Sequence, residues 1–123
     1  MTEPTYIDTE PIFEIDEFGT KKWRLNGLLH RKDGPAIEWA DESKFWFLNG
    51  KCHREDGPAI EHSDGSKSWY LNYKLHREDG PAIERDDGTK AWYLNDELIA
   101  KGERPENWDE LVLLAQIERV MND

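Results

Sequence analysis

Tryptophan recurs at a constant interval of 23 residues in this chain, at Trp23, Trp46, Trp69 and Trp92. Each of these tryptophans is followed by leucine two positions later and by asparagine three positions later. A fixed period of about 20–50 residues is typical of repeat proteins, whose units bury their apolar surfaces against their neighbours. Because the chain has only 123 residues, we expect a single repeat domain.

The second half of the unit is also repeated, in three copies. They span residues 29–38, 52–61 and 75–84 and read L-H-R-K-D-G-P-A-I-E, C-H-R-E-D-G-P-A-I-E and L-H-R-E-D-G-P-A-I-E. The fourth copy stops early, because Ile99, Ala100 and Lys101 follow Leu98 where the other units have histidine, arginine and an acid or lysine. Upstream, residues 11–14 resemble a degenerate P-A-I-E strand, which we expect to pair with the first full unit.

Each unit has the residue pattern of β-strands joined by tight turns. Trp69 and Leu71 alternate with Ser68 and Tyr70, and this period of two predicts a strand. Turn signals follow from residues that tolerate positive φ, at Asn26-Gly27, Asn49-Gly50, Asp64-Gly65 and Asp87-Gly88. The pattern predicts a mainly β fold, a meander of tandem antiparallel hairpins that forms one elongated, twisted sheet.

Two strands in each unit would make successive tryptophan strands run in the same direction and place their tryptophans on the same face of the sheet. We expect the tryptophans and the leucines of their strands to form one apolar face together with Leu29, Cys52, Leu75 and Leu98. The opposite face is then a candidate binding surface, since aromatic side chains are common interface anchors. It carries Arg24, Phe47, Tyr70 and Tyr93.

The C-terminal residues have the pattern of a helix. Pro105 and a capping pair of Asn107 with Glu110 open a largely apolar segment that runs from Trp108 to Met121. We expect this helix to be either a lid over the last hairpin or the tryptophan face, or a docking or dimerisation surface. Its candidate residues are Trp108, Leu111, Leu114 and Ile117.

The net charge of −11 is concentrated at the two ends of the chain. Residues 1–19 carry six acids and no base, residues 102–123 carry six acids and two bases, and residues 20–101 are nearly neutral with fifteen acids and fourteen bases. We therefore divide the chain into an acidic N-terminal segment, a hairpin repeat domain and a C-terminal helix at these boundaries. Net acidity disfavours direct nucleic-acid binding, which depends on Lys and Arg clusters, but it leaves mimicry of DNA by the ends open.

Cysteine content and hydropathy bear on the location of the protein. Cys52 has no intramolecular disulfide partner, no stretch approaches the about 20 apolar residues that span a bilayer, and Met1 begins no signal-peptide pattern. We expect no membrane partner and a cytoplasmic location, in a bacterial host if the protein is encoded by a phage.

The segment Asn49-Gly50-Lys51 with His53, aromatics before it and the Asp64-Gly65 turn after it, resembles the MORN repeat. The resemblance covers about residues 12–101, although K-x-W-Y-L-N replaces the glycine-rich first strand of MORN units. The D-G-P-A-I-E block looks more like the LHREDGPA repeats of short phage and bacterial proteins. The resemblance implies a twisted sheet of hairpins used for protein contacts, a phage origin, and no catalytic residues.

Each full unit contains a histidine and an arginine followed two residues later by aspartate: His30 and Arg31, His53 and Arg54, His76 and Arg77. Equivalent residues of successive hairpins lie about 9.6 Å apart, too far for histidines that must each come within about 2.1 Å of one zinc ion. We therefore predict no metal site. These residues either stabilise their loops or form a row that binds an anionic ligand or an acidic protein. Cys52 stands where sister units have leucine, so we expect apolar filler and not a nucleophile.

Catalytic motifs are missing from the sequence, which has no phosphate-binding glycine loop or nucleophile elbow. We predict a non-enzymatic protein-interaction module without a cofactor, encoded by a phage or mobile element, that binds and inhibits a host protein. Two alternatives stay open: sequestration of a small anionic nucleotide-type ligand in clefts between repeats, and acidic mimicry of DNA. A homodimer through the C-terminal helix is compatible with all three.

Overall fold

A computed structural model describes residues 9–122. Residues 1–8 of the expected acidic segment and Asp123 of the expected helical segment lie outside the described residues. The described residues form fourteen short strands and one helix, α1 (Trp108–Met121). The strands are β1 (Ile12–Ile15), β2 (Lys21–Leu25), β3 (Leu28–Leu29), β4 (Ile37–Glu38), β5 (Lys44–Phe45), β6 (Phe47–Leu48), β7 (Lys51–Cys52), β8 (Ile60–Glu61), β9 (Lys67–Ser68), β10 (Tyr70–Leu71), β11 (Lys74–Leu75), β12 (Ile83–Glu84), β13 (Lys90–Leu94) and β14 (Glu97–Lys101).

Ten of these strands form one antiparallel sheet, in the order β1-β2-β4-β5-β8-β9-β12-β13-β14, with β3 paired to β2. The other four form two separate hairpins, β6 with β7 and β10 with β11. Both β5 and β9 pair antiparallel with β8, so the tryptophan strands of successive units run in the same direction. The predicted mainly β meander with a C-terminal helix is confirmed, and the degenerate first strand is present as β1 on β2.

In the middle units, the tryptophan is the residue at which the chain passes from a strand of the main sheet to a short separate hairpin. A unit therefore contains more strands than the two expected. The N–H of Trp46 donates to the carbonyl of Ala59 at 2.7 Å and continues the register of the main sheet. The carbonyl of Trp46 accepts from the N–H of His53 at 3.1 Å and opens the short hairpin. The chain thus leaves the main sheet at this residue, and Trp69 repeats the arrangement in the next unit.

The residues that share a face of the short hairpins are not the ones predicted from the sequence. Leu29, Cys52, Leu75 and Leu98 do not lie with the tryptophans, because they are the cross-strand partners of Arg24, Phe47, Tyr70 and Tyr93. Residues directly opposite each other on antiparallel strands share one face. The predicted composition of the apolar face was therefore wrong, since a two-residue turn places these residues in register with the aromatic row.

The turns of the short hairpins and the turns of the main sheet both require residues with positive φ. The four asparagines that open the short-hairpin turns have φ between 48° and 52°, and the residue after each is also positive, as a type I′ turn requires. Glycine fills that second position in the first two units, whereas Tyr73 and Asp96 adopt φ of 60° and 72° in the later ones. In the turns of the main sheet, Glu42 adopts φ of 76° at the position that Gly65 and Gly88 fill in later units.

The helix α1 covers the last tryptophan of the array. In the first three units an arginine lies over the tryptophan ring, but the residue in that frame beside Trp92 is Ala100. Trp108 of α1 packs edge-on against Trp92 instead, with ring centroids 5.0 Å apart. Together with Leu94 and Ala115 these two rings form the buried cluster at this end of the molecule.

The four candidate residues of the helix separate into two pairs. Trp108 is buried and Leu111 packs against the same cluster, whereas Leu114 and Ile117 are 55% and 47% exposed. The predicted capping pair was wrong, because the side chain of Asn107 makes no capping hydrogen bond. Its φ of −94° and ψ of 23° are not the extended conformation from which a capping side chain reaches the first turn.

Candidate functional site

The R-x-D-G-P loop is organised by its arginine, as Arg54 illustrates. Its guanidinium lies over the ring of Trp46, 3.9 Å from the centroid. Nε donates to Asp56 at 3.0 Å, and Nη1 donates to the carbonyl of Pro58 at 3.0 Å and to Glu61 at 3.3 Å. A planar guanidinium can stack on a ring and bond in its own plane at the same time, which an ammonium cannot do. This charge is therefore committed to its own loop.

The other two arginines of the row are placed in the same way. Arg31 and Arg77 both lie 3.8 Å from the centroids of their tryptophan rings, and each forms ion pairs with an aspartate and a glutamate of its own unit. The loop glycines make room for them, since a Cβ at Gly80 would lie 2.6 Å from Cζ of Arg77. The D-G-P motif thus allows the arginine to pack closely against the loop.

The histidine of each loop bonds to the following unit. Nδ1 of His30 accepts from the N–H of Asn49 at 2.9 Å. Its neighbours in sequence add two bonds to the same hairpin, from Gly50 N–H to Leu29 carbonyl at 2.8 Å and from Arg31 N–H to Phe47 carbonyl at 3.1 Å. The same bonds recur at the next two junctions, where His53 accepts from Asn72 and His76 accepts from Asn95.

Histidines and arginines come together within each unit and do not converge on one centre. Among residues 9–122, no group of three or more His, Cys, Asp or Glu side chains could hold a metal ion. Clefts of about 650 and 630 Å³ lie between the loops of Arg31 and Arg54 and between those of Arg54 and Arg77. Every arginine that lines these clefts is already in an ion pair with a carboxylate, and so little free positive charge faces them.

Glu78 joins the third loop to the helix. Its carboxylate accepts from Nε2 of His76 at 2.8 Å and from Gln116 at 2.7 Å, and it lies 3.4 Å from Nη2 of Arg119. Its carbonyl accepts from Nε1 of Trp108 at 2.7 Å. Partial burial favours a higher pKa for Glu78, but the hydrogen bonds from His76 and Gln116 and the nearby positive charge outweigh it and lower the pKa below its ordinary value.

The predicted binding face is partly covered. Its members, Arg24, Phe47, Tyr70 and Tyr93, are all half-buried. Arg24 forms an ion pair with Glu14 of β1 at 2.7 Å, and burial is the main cause of a raised pKa at Tyr70. Burial also raises the pKa of Cys52 to about 12, so this thiol stays protonated near neutral pH and is a poor nucleophile.

The two ends of the array expose apolar side chains, of which only Leu114 and Ile117 were predicted as candidate residues. On β1, Ile12, Phe13 and Ile15 are 59%, 50% and 57% exposed. The motif I-F-E-I is a signal that could have indicated this, because it has apolar residues on both faces of the strand. The helix exposes a second patch, called here the outer helix face: Leu113, Leu114, Ile117, Val120 and Met121.

This architecture defines the chain as a β-hairpin repeat protein whose units are joined by histidine-to-backbone hydrogen bonds. Comparison with family models, with curated proteins and with solved structures finds no match. The resemblance to MORN repeats and to phage proteins therefore stays a prediction. In the part of the chain that the structure describes, no helix is long and apolar enough to cross a bilayer.

Proposed function

We propose that this chain is a non-enzymatic protein-interaction module that binds its partner through the apolar side chains at the ends of its repeat array. The observation that carries the proposal is a contrast between two sets of residues. The repeated histidines and arginines are hydrogen-bonded within the array, whereas β1 and the outer helix face expose large apolar side chains. Exposed apolar patches of this kind are typical of protein-interaction sites.

The state of the reactive groups supports a role other than catalysis. The Cys52 thiol is protonated because burial raises its pKa to about 12. Nδ1 of each loop histidine already accepts a main-chain hydrogen bond, which occupies the nitrogen that a general base would use. The resemblance to phage proteins extends the proposal to a partner from a bacterial host that is inhibited on binding.

An affinity capture from bacterial lysate tests the proposal when it is followed by reconstitution. The captured protein is identified and purified, and its dissociation constant for the chain is measured. We expect Leu113→Glu with Ile117→Glu on the outer helix face, or Phe13→Glu on β1, to weaken binding at least about tenfold, because each places a charge in an apolar contact. Glu118→Gln on α1 is the matched control. A lysate without a reproducible partner, or a partner indifferent to both sets of variants, contradicts the proposal.

Sequestration of an anionic nucleotide-type ligand in the two loop clefts is the first alternative. The arginines that line the clefts are already in ion pairs with carboxylates, and this disfavours the binding of an anion there. Lys32, however, lines one cleft and is exposed. A thermal-shift screen against nucleotides decides between the two functions. A rise in Tm that Lys32→Ala abolishes would support sequestration, and no rise with any nucleotide would remove it.

Acidic mimicry of DNA is the second alternative. Of the acids in residues 9–19, Asp16 accepts the N–H groups of Phe18 and Thr20, and Glu14 pairs with Arg24. These two carboxylates therefore have roles within the fold. Deleting residues 1–10 without loss of partner binding would count against mimicry.

The expected homodimer would appear in sedimentation as a dimer that Ile117→Glu dissociates.

A further inference from the structure

β1 is an edge of the main sheet, and within the described residues it pairs with β2 alone. The N–H of Trp23 donates to Ala36 at 2.8 Å and its carbonyl accepts from His30 at 3.0 Å, so both main-chain groups of Trp23 face away from β1. Phe13 lies directly opposite Trp23 in the register. The two residues therefore form a pair without mutual hydrogen bonds.

The alternation of an antiparallel ladder fixes the direction of the other main-chain groups on β1. The N–H of Asp16 donates to the carbonyl of Thr20 at 3.1 Å, so Asp16 belongs to a bonded pair and Ile15, next to it, does not. The N–H and C=O groups of Phe13 and Ile15 consequently point away from β2. This free side offers a row of alternating donors and acceptors, which is what a partner strand uses in β-augmentation.

The side chains of β1 give this edge little protection. Proteins usually shield an edge strand with charged side chains, proline or a bulge, and Glu14 is the one such feature of I-F-E-I. Phe13 packs against Trp23 with ring centroids 5.0 Å apart, yet it stays 50% exposed. An added strand would therefore find an apolar surface that is already held in place by the sheet.

Charge disfavours a second copy of the chain as the occupant. Two copies of β1 can pair antiparallel through the main-chain groups of Phe13 and Ile15 in three registers. These registers place Glu10 opposite Asp16, Glu14 opposite Glu14 of the other copy, or Glu14 opposite Asp16. Like charges directly opposite each other destabilise a strand pair. Glu14 already pairs with Arg24 at 2.7 Å, but its side chain stays 55% exposed, so a base on an added strand could join this surface ion pair.

We propose that the free side of β1 binds an extended strand of a second protein in which apolar residues opposite Phe13 and Ile15 alternate with a lysine or arginine opposite Glu14. The inference rests on the proposed function and names the site and the partner chemistry. Main-chain hydrogen bonds from Phe13 and Ile15 give affinity, and the acid gives the preference for a basic sequence.

The test uses the full chain and two labelled peptides, one alternating lysine with valine and one alternating glutamate with valine. We expect the basic peptide to raise fluorescence anisotropy and the acidic peptide to leave it unchanged. Phe13→Pro should weaken the basic peptide at least about tenfold, because proline removes an N–H from the free side and none from the β1–β2 ladder. Phe13→Leu is the matched control and should bind almost as the parent does. Ile15→Lys carries the same expectation as Phe13→Pro if the proline variant does not fold.

Three results would overturn the inference: no binding of the basic peptide, equal binding of both peptides, or equal affinity of the parent, Phe13→Pro and Ile15→Lys. A dimer that Phe13→Pro dissociates would overturn the choice of a second protein as occupant. The proposed function is tested separately by the captured lysate partner. If that partner binds Phe13→Pro as tightly as the parent but is lost with the outer-helix-face variants, the β1 inference fails and the proposed function stands.

Discussion

Nδ1 of His30 accepts a hydrogen bond from the main-chain N–H of Asn49, 2.9 Å away in the following repeat. His30 is buried, and a neutral imidazole whose Nδ1 accepts carries its proton on Nε2. The bond closes the first turn position of the next hairpin, so the histidine of one unit stabilises the turn of its neighbour.

Replacement of His30 should separate this bond from simple packing. We expect His30→Leu to lower the free energy of unfolding by about 1–3 kcal/mol, because the N–H of Asn49 loses its acceptor. His30→Asn should cost less, since its Oδ1 is attached at the same side-chain position as Nδ1. Urea titrations followed by tryptophan fluorescence measure both. Equal losses in the two variants would show that the acceptor is not what stabilises the junction.

Arg54→Lys should destabilise the second loop although it keeps the charge. The ammonium cannot stack on Trp46 and bond to Asp56 and the carbonyl of Pro58 together, so we expect a loss of about 1–2 kcal/mol in unfolding free energy. Lys32→Ala, at an exposed position of the neighbouring loop, is the control and should change stability by less than about 0.5 kcal/mol. A lysine variant as stable as the parent would contradict the loop-stabilising role.

Glu42→Gly should stabilise the protein. Glu42 has φ of 76°, a conformation that costs a residue with a Cβ about 1–2 kcal/mol, and part of the gain is offset by the greater freedom of glycine in the unfolded chain. We expect a net increase of about 0.5–1 kcal/mol in unfolding free energy, measured by urea titration. Glu55→Gly, at a position without positive φ, is the control and should be destabilising. A destabilising Glu42→Gly would mean that Glu42 is not strained.

Acid should weaken the contact between the helix and the third loop. Because the fold lowers the pKa of Glu78 from its ordinary 4.5, its contribution to stability is complete above that value and is lost as the pH falls through the lowered one. We expect near-ultraviolet circular dichroism from Trp92 and Trp108 to change in this window. Glu78→Gln should flatten the change, and Glu55→Gln, whose side chain is 82% exposed in the parent, should not. An identical acid transition in all three proteins would contradict the assignment.

The repeat made much of the fold predictable. A constant period with a strand pattern predicts that the tryptophan strands of successive units run in the same direction, and this prediction requires no knowledge of packing. The apolar segment that begins at Trp108 is a helix for the equally local reason of its residue pattern.

The parts that could not be predicted depend on register and on contacts distant in sequence. Leu29 was placed on the wrong face because the sequence does not say that the strand changes partner at the tryptophan. The role of His30 depends on an N–H nineteen residues away. The exposure of Phe13 depends on whether any other element covers β1, and a sequence pattern reports which residues are apolar but not which of them find a neighbour.

Trp108 packs edge-on against Trp92 in the unit where Ala100 replaces the arginine of the three earlier units, and α1 also bonds to Glu78 of the unit before. The modified last unit and α1 together end the array, and as a pair they would fit equally well after one full copy more or one fewer. Each added copy would move the outer helix face away from β1 by two strand spacings, about 9.6 Å. The number of repeats would then set the distance between the two ends, and a partner that contacts both ends would bind chains of one length and not the others.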